Sequence, residues 1–435
     1  MLNRNQFKSD ERPSIYSHAC SCSLMSRRSF LEVAGAATLA VSGTFAPRRV
    51  LGANERIRVG LIGAGGRGQE ILKAALRCPN TEAAAVADVY TRRLEEVRGF
   101  SPQINTYQDF RKLLDDKSVD AVLIATPQHQ HVLNFVPAIQ AGKDIYQEKT
   151  MAFNPDHAKR MQRAFQGSGR VVQIGIQSTS SGAVEQAREF LTPEKMGTIT
   201  AIHTHHYRNA PYGGWKRPIP ADCDAEHVDW PGFQGEARRR PFEANRVINW
   251  RFYWDYAGGN VYENMVHQVG FWYKLMGLNI PARVMMTGTN YLSPEMEVPD
   301  TMDVAMHQPE NLLFTWNSMF GNRYFGEGDD LVLGNKGTIL RDDRDQVRYE
   351  PQDKPRSAKS VELADSPAKK SADIVGGGDA TVAHLQNLFD CMRSRREPNC
   401  PFEIGFRSAI ACYMAITSYR ENRSVRWDEK TEEVV

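Results

Sequence analysis

Apolar and polar positions change period partway along the chain, and each period predicts a different architecture. Residues 57–62, Ile-Arg-Val-Gly-Leu-Ile, are an apolar run too short for a helix and predict a strand. Helical spacing follows over 69–77, then a second strand over 83–87. The alternation continues: helix at 106–116, buried strand at 119–125, helix at 130–141, short strand at 144–146, helix at 155–166 and strand at 171–176. Strands and helices taken in turn predict a doubly wound parallel sheet.

After Gly175 the pattern shifts. Residues 198–207 alternate like a strand with one solvated face. Runs at 281–291, 303–307, 311–320 and 331–340 repeat it without intervening helices, which predicts an open, mostly antiparallel sheet. Between Tyr207 and Tyr256 lies a long segment of weak periodicity, rich in Pro, Gly, Trp and Arg. Trp215, Trp230, Trp250, Trp254 and Trp272 fall in or just beyond it; their rings would stack on sugar faces or simply pack the loop on the sheet. Residues 351–378 read as an exposed linker, and 380–395 and 404–420 as two terminal helices. The fold class is α/β. Four parts are expected: 1–53 as a leader, 54–178 as a Rossmann domain, 179–375 as an α/β domain carrying the large open sheet, and 376–435 as helices returning to the first domain.

Composition narrows the function. With 41% hydrophobic and 24% charged residues, the chain is neither disordered nor collagen-like. A net charge of +2 gives no basic field for a nucleic-acid partner. No stretch reaches the ~20 apolar residues needed to span a bilayer, so no stable membrane insertion is expected. Of seven cysteines only Cys20 and Cys22 lie close together, which is neither a disulfide framework nor a zinc pattern, and no metal site is expected. Ser26-Arg27-Arg28-Ser29-Phe30-Leu31, followed by a weakly apolar run over 33–46, is a twin-arginine export pattern. It predicts passage through the twin-arginine translocase to the periplasm or beyond, with cleavage after Ala53 and with Met1 or Met25 as the start.

The first strand runs into Gly63-Ala64-Gly65-Gly66-Arg67-Gly68. Gly63 permits the tight turn, Gly65 lets backbone approach a pyrophosphate, and Gly68 lets the helix pack on the strand, with the anion on the helix N-terminus. The second strand ends in Asp88, placed to accept from the adenosine ribose hydroxyls, so NAD is favoured over NADP. Arg92 and Arg93 follow closely, and either could hold a 2′-phosphate. Other polar groups expected at the strands' carboxyl edge are Thr126, Pro127, His129, His131, Glu148 and Lys149.

On these residues the chain resembles the Gfo/Idh/MocA family of glucose–fructose oxidoreductase and inositol dehydrogenase, in its secreted branch. The marks are the fingerprint at 63–68, Ala87-Asp88, Ala125-Thr126-Pro127 with His131, and Ala141-Gly142-Lys143 leading to Glu148-Lys149. Thr150 stands where the family usually reads proline, and Glu263 where its Asp-x-x-x-His signature, ending here at His267, has aspartate. His384 to Arg393 and Arg420 to Asp428 look like the C-terminal segments of the secreted branch. The resemblance implies NAD(P)-dependent oxidation of a sugar, polyol or glycoside hydroxyl. It implies that Lys149 contacts the reacting hydroxyl and the nicotinamide side, that His267 accepts the proton and that Glu263 assists it. It also implies a homodimer or homotetramer through the open sheet face.

The residues agree with that chemistry. Glu263 and His267 are spaced i,i+4 and could meet on one helix face. Histidine takes a proton near neutral pH, and a lysine stabilises a developing alkoxide. Arg251, Trp254 and Tyr256 are candidate substrate contacts, whereas His203, His205, His206, His129 and His157 are expected to be structural. Two further readings stay open: an NAD-dependent glycosidase working by oxidation, elimination, hydration and reduction, and a non-catalytic periplasmic sugar-binding protein. A chain exported folded has no NAD pool to draw on, so a tightly held, internally recycled cofactor is expected.

Overall fold

The computed structural model describes residues 56–323, 330–342, 345–352, 361–362 and 377–435. The expected leader and most of the expected linker lie outside them. Residues 51–435 form one compact unit.

The first sheet has six parallel strands: β1 (Ile57–Ile62), β2 (Thr81–Ala87), β3 (Asn105–Tyr107), β4 (Ala121–Ile124), β5 (Asp144–Glu148) and β6 (Val172–Gly175). Their order, β3-β2-β1-β4-β5-β6, is that of a Rossmann sheet, whose ligand crevice opens where the order reverses between β1 and β4. All the β4 and β5 residues are buried, as a sheet covered on both faces requires. β3 departs from the expected single helix at 106–116. Its three residues pair with Ala85–Ala87, and only then does the helix Phe110–Asp115 begin, capped by the Asp109 carboxylate accepting from Arg111 N–H.

The second sheet has ten strands around β7 (Ile199–Tyr207), with β8 (Arg283–Thr289), β9 (Thr301–His307) and β10 (Leu313–Met319) on one side. On the other side β11 (Asp330–Gly334) and β12 (Gly337–Arg341) form a hairpin where one run was expected. The sheet is mixed: β7 pairs parallel with β10, and every other described pair is antiparallel.

The two terminal helices go to different places. Gly377–Ser394 brings Leu385, Leu388 and Phe389 into the core of β1 and its first helix. Phe402–Glu421 packs instead with the helix Val266–Met276 beneath the second sheet, and Val425–Asp428 extends that sheet beyond β8. The long segment before Tyr256 has an apolar core of its own, built on Trp230, Phe233, Phe252, Tyr253 and Tyr256 with Tyr90 of the first domain.

Candidate active site

β1 ends at Ile62, and the chain turns at once into the helix Gly66–Ala75. Gly63 makes the turn at φ +90°, where a Cβ would stand 2.6 Å from the Thr126 backbone nitrogen. A Cβ on Gly68 would collide with the Gly63 carbonyl oxygen. Around Gly65 and Gly66, by contrast, nothing lies within 4 Å of a would-be Cβ, and no side chain caps the helix. Its first N–H groups therefore face open space, which suits the diphosphate of a dinucleotide.

That space is a cleft of about 600 Å³, within the usual range for small-molecule sites of ~300–1,000 Å³. Gly63, Gly65, Gly66, Arg67, Asp88, Thr126 and Pro127 line it. Asp88 accepts from Ala64 N–H at 2.6 Å and Tyr90 N–H at 2.9 Å, so its carboxylate is fixed at the cleft edge. Burial pushes the carboxyl up while those two donors oppose the shift. Of the two nearby arginines only Arg93 lines the cleft; Arg92 is turned away onto Asp222. Asp88→Ala is expected to weaken NAD binding about tenfold, the worth of one hydrogen bond to a charged group, and to favour NADP through Arg93. Titration of the purified protein with both cofactors checks it, and an unchanged NAD/NADP ratio would remove Asp88 from the ribose site.

Reactive side chains gather at the other end of the cleft. Lys149 follows β5 directly, and its Nζ donates to the Glu263 backbone oxygen and to Glu263 Oε2, both at 2.9 Å. Gln128 Nε2 donates to Glu263 Oε1 at 2.7 Å, and Arg251 forms an ion pair with Oε2 at 3.3 Å. Burial would raise the Glu263 carboxyl, but Arg251 and Lys149 overcome it and hold it at about 2. The His267 ring is partly exposed and has no hydrogen-bond partner among the described residues. Burial first, then the positive charges of Lys149 and Arg67, hold its pKa well below the ordinary histidine range, so the ring is a neutral proton acceptor.

The expected pairing of Glu263 with His267 is not what forms. Glu263 sits in a π-helical turn, Val261–Met265, and its carboxylate faces Lys149, Arg251 and Gln128. Two cations attract a carboxylate far more strongly than a neutral imidazole does. Of the candidate substrate residues, Arg251 lines the cleft, stacked 4.2 Å over Trp250. Tyr256 is fully buried against His129 and Phe233, and Trp254 packs beside Tyr419 and Arg420, so neither is brought to the site. Trp215 and Trp250 line the cleft, while Trp230 and Trp272 donate their indole N–H groups within the cores.

His131 and Glu148 act one layer back. The His131 ring is 1% exposed and lies among the backbone oxygens of Thr126, Thr150 and Met151, joining the β4 and β5 ends. Glu148 holds Arg67 at 3.0 Å and accepts from Lys149 N–H. Thr150 donates to the Tyr262 oxygen at 2.8 Å and so ties the Lys149 loop to the Glu263 turn. His206, expected to be structural, faces the site: it accepts from Arg208, and burial and the positive charges of Arg208 and Lys149 lower its pKa to about 3. The alternation of β7 carried the signal, since His206 shares the inward face of Ile202 and Thr204. Among the described residues no group of three His, Cys, Asp or Glu could hold a metal, and no helix is long and apolar enough to cross a membrane.

A Rossmann sheet with an open cleft at its fingerprint turn is built to hold a dinucleotide. Residues 57–176 match the Gfo/Idh/MocA family, described as "Oxidoreductase family, NAD-binding Rossmann fold". The chain is 29% identical over 153 residues to inositol 2-dehydrogenase/D-chiro-inositol 3-dehydrogenase of Shouchella clausii, covering 34% of this chain and 44% of that protein. It is 27% identical over 168 residues to inositol 2-dehydrogenase of Salmonella typhimurium, covering 37% and 49%. The chain thus spans less than half the length of these curated relatives. A levoglucosan dehydrogenase, solved in complex with NADH and levoglucosan, shares the fold with a TM-score of 0.66 at 18% identity over 86% of this chain and 99% of that one. The similarity to the Gfo/Idh/MocA oxidoreductases is thus shown for residues 57–176, with inositol dehydrogenases among the similar proteins.

Proposed function

We propose that the protein is an exported, NAD-dependent oxidoreductase that acts on a hydroxyl of a sugar, polyol or glycoside and recycles a tightly held cofactor. One observation carries the reading: Lys149 is bonded to Glu263, which lines the same cleft as the fingerprint turn and Asp88, and the charges of Lys149 and Arg67 help to keep His267 neutral. The polyol and sugar named for the inositol and levoglucosan dehydrogenases support the substrate class.

Bound NAD supplies a hydride acceptor, and the remaining work falls to the chain's own side chains. The Lys149 ammonium has three N–H donors; two go to Glu263, and the third is available to the substrate oxygen. His267 Nδ1 or Nε2 takes the hydroxyl proton as the carbinol C–H bond breaks. Lys149 stabilises the oxygen's developing charge, and Glu263 keeps Lys149 in place. The exposed Met285 on β8 and Leu313 on β10, which flank β9, support a homodimer or homotetramer through the open face of the second sheet.

Export rests on the twin-arginine pattern at 26–31, and it makes cofactor retention necessary. Retention for hours without an external pool implies a nanomolar or tighter Kd, worth roughly 12 kcal/mol. The expected result is near-stoichiometric NAD released on denaturing protein purified without added cofactor, together with turnover that needs none added. Aryl glycosides and free aldoses, assayed side by side, separate glycoside cleavage from sugar oxidoreduction. Fast cofactor exchange with sustained NADH release would overturn the recycling cycle.

A further inference from the structure

The cleft has a second wall that no fingerprint announces. Trp215, Arg217, Pro218, Val247, Ile248 and Trp250, all from the long segment before Tyr256, line the same space as the glycine turn and Asp88. A dinucleotide filling the cleft touches both walls. The two stretches of this wall are tied together, since Arg217 N–H donates to Asn249 Oδ1 at 2.7 Å and Asn249 Nδ2 donates to the Arg217 oxygen.

Four residues past Pro218, the segment is clipped to the loop that follows Asp88. Arg92 Nε donates to both Asp222 carboxylate oxygens at 2.9 Å, its Nη2 donates to Oδ1 at 2.7 Å, and the Tyr90 hydroxyl donates to Oδ1 at 2.8 Å. Beyond Asp222 the backbones join: Thr91 N–H donates to the His227 oxygen at 3.0 Å, Asp229 N–H donates to the Val89 oxygen at 2.8 Å, and Tyr90 bridges Val228. The loop that places Asp88 at the ribose edge therefore also holds the strap.

We propose that Asp222 is a cofactor latch: it fastens the strap carrying Trp215, Arg217 and Pro218 across the NAD cleft, and it withdraws Arg92 from the ribose edge, where that guanidinium would welcome a 2′-phosphate. The inference rests on the reading that this cleft holds NAD. Half-exposed ion pairs contribute little by themselves. This one is bidentate, shared with a buried tyrosine and continued by backbone bonds, so it works by keeping a wall preformed rather than by its own strength. Pairing with Arg92 holds the Asp222 carboxyl at about 2, so the latch stays charged across physiological pH. Asp222 is a positioning and specificity residue, remote from the reacting atoms.

The test loads the full chain with NADH and follows its fluorescence after dilution into excess unlabelled NAD. Asp222→Ala and Arg92→Ala are each expected to speed release about three- to tenfold, the range by which a lost interface contact alters off-rates. The double variant should add nothing further. The exchanged pair, Asp222→Arg with Arg92→Asp, should recover slow release. Asp222→Asn guards against misfolding, because it removes the charge and keeps the shape. A second readout separates a latch from general loosening: NADP affinity should rise in Asp222→Ala, where Arg92 is freed, and not in Arg92→Ala. Release within twofold of the parent in every variant, or NADP gained equally in both single variants, overturns the latch. A parent protein that releases NADH within seconds defeats the retained-cofactor reading, yet the ratio of variant to parent still decides the latch.

Discussion

His267→Ala is expected to lower turnover at least a hundredfold while leaving the dinucleotide bound, the scale on which a positioned general base contributes. The ring belongs to the helix Val266–Met276 of the second domain, whereas the fingerprint and Asp88 belong to the first, so binding and chemistry separate in this variant. The pH dependence follows from the sign of the shift. The folded pKa of His267 lies well below its ordinary value, so the ring stays neutral as pH falls through about 6.5, the unperturbed value. Turnover should therefore hold through pH 6.5 rather than halve there. Lys149→Ala is expected to fall as far as His267→Ala, by loss of the charge facing the alkoxide. Steady-state rates with the true substrate, together with NAD retention, check both variants. A His267→Ala enzyme as fast as the parent would remove that residue from the mechanism.

Glu263→Gln is expected to cost both rate and stability. Its carboxylate is 8% exposed and joins Lys149, Arg251 and Gln128, so the amide leaves two cations facing each other in a nearly buried site. Breaking buried pairs of this kind commonly costs ~3–5 kcal/mol, reduced here because Arg251 is 31% exposed. The sign with pH is definite. A carboxyl held at about 2 in the folded protein and near its ordinary value when unfolded contributes stability above about pH 4.5, lost as pH falls towards 2. A shift of that size is worth ~3 kcal/mol at most. Denaturant unfolding of both proteins at pH 7 and pH 3 should show the parent losing more than the variant. Equal losses would mean that the Glu263 cluster carries no such load. Turnover should fall roughly a hundredfold, because Lys149 loses the anchor that aims it.

Much of the first domain was legible because its signals are local. The strand, the three glycines and Asp88 lie within 32 residues, and a tight turn, a close helix and a ribose acceptor each demand one residue type there. β3 escaped because three edge residues leave too short a pattern, and the helix after it continued the apparent period. The expected partnership of Glu263 and His267 came from spacing alone, which says who is near on a helix and nothing of what arrives from outside it.

By itself, then, the chain determined its period and its glycine geometry, and it marked Lys149 and His267 as candidates. Tertiary structure decided who partners whom. Lys149 reaches Glu263 across 114 residues, and Arg92 reaches Asp222 across 130. It also decided that Arg251, Trp215 and Trp250 face the cleft while Trp254 and Tyr256 do not. The reason is physical: backbone preference acts over a few residues, whereas charge pairing and burial act on whatever the fold brings within a few ångströms.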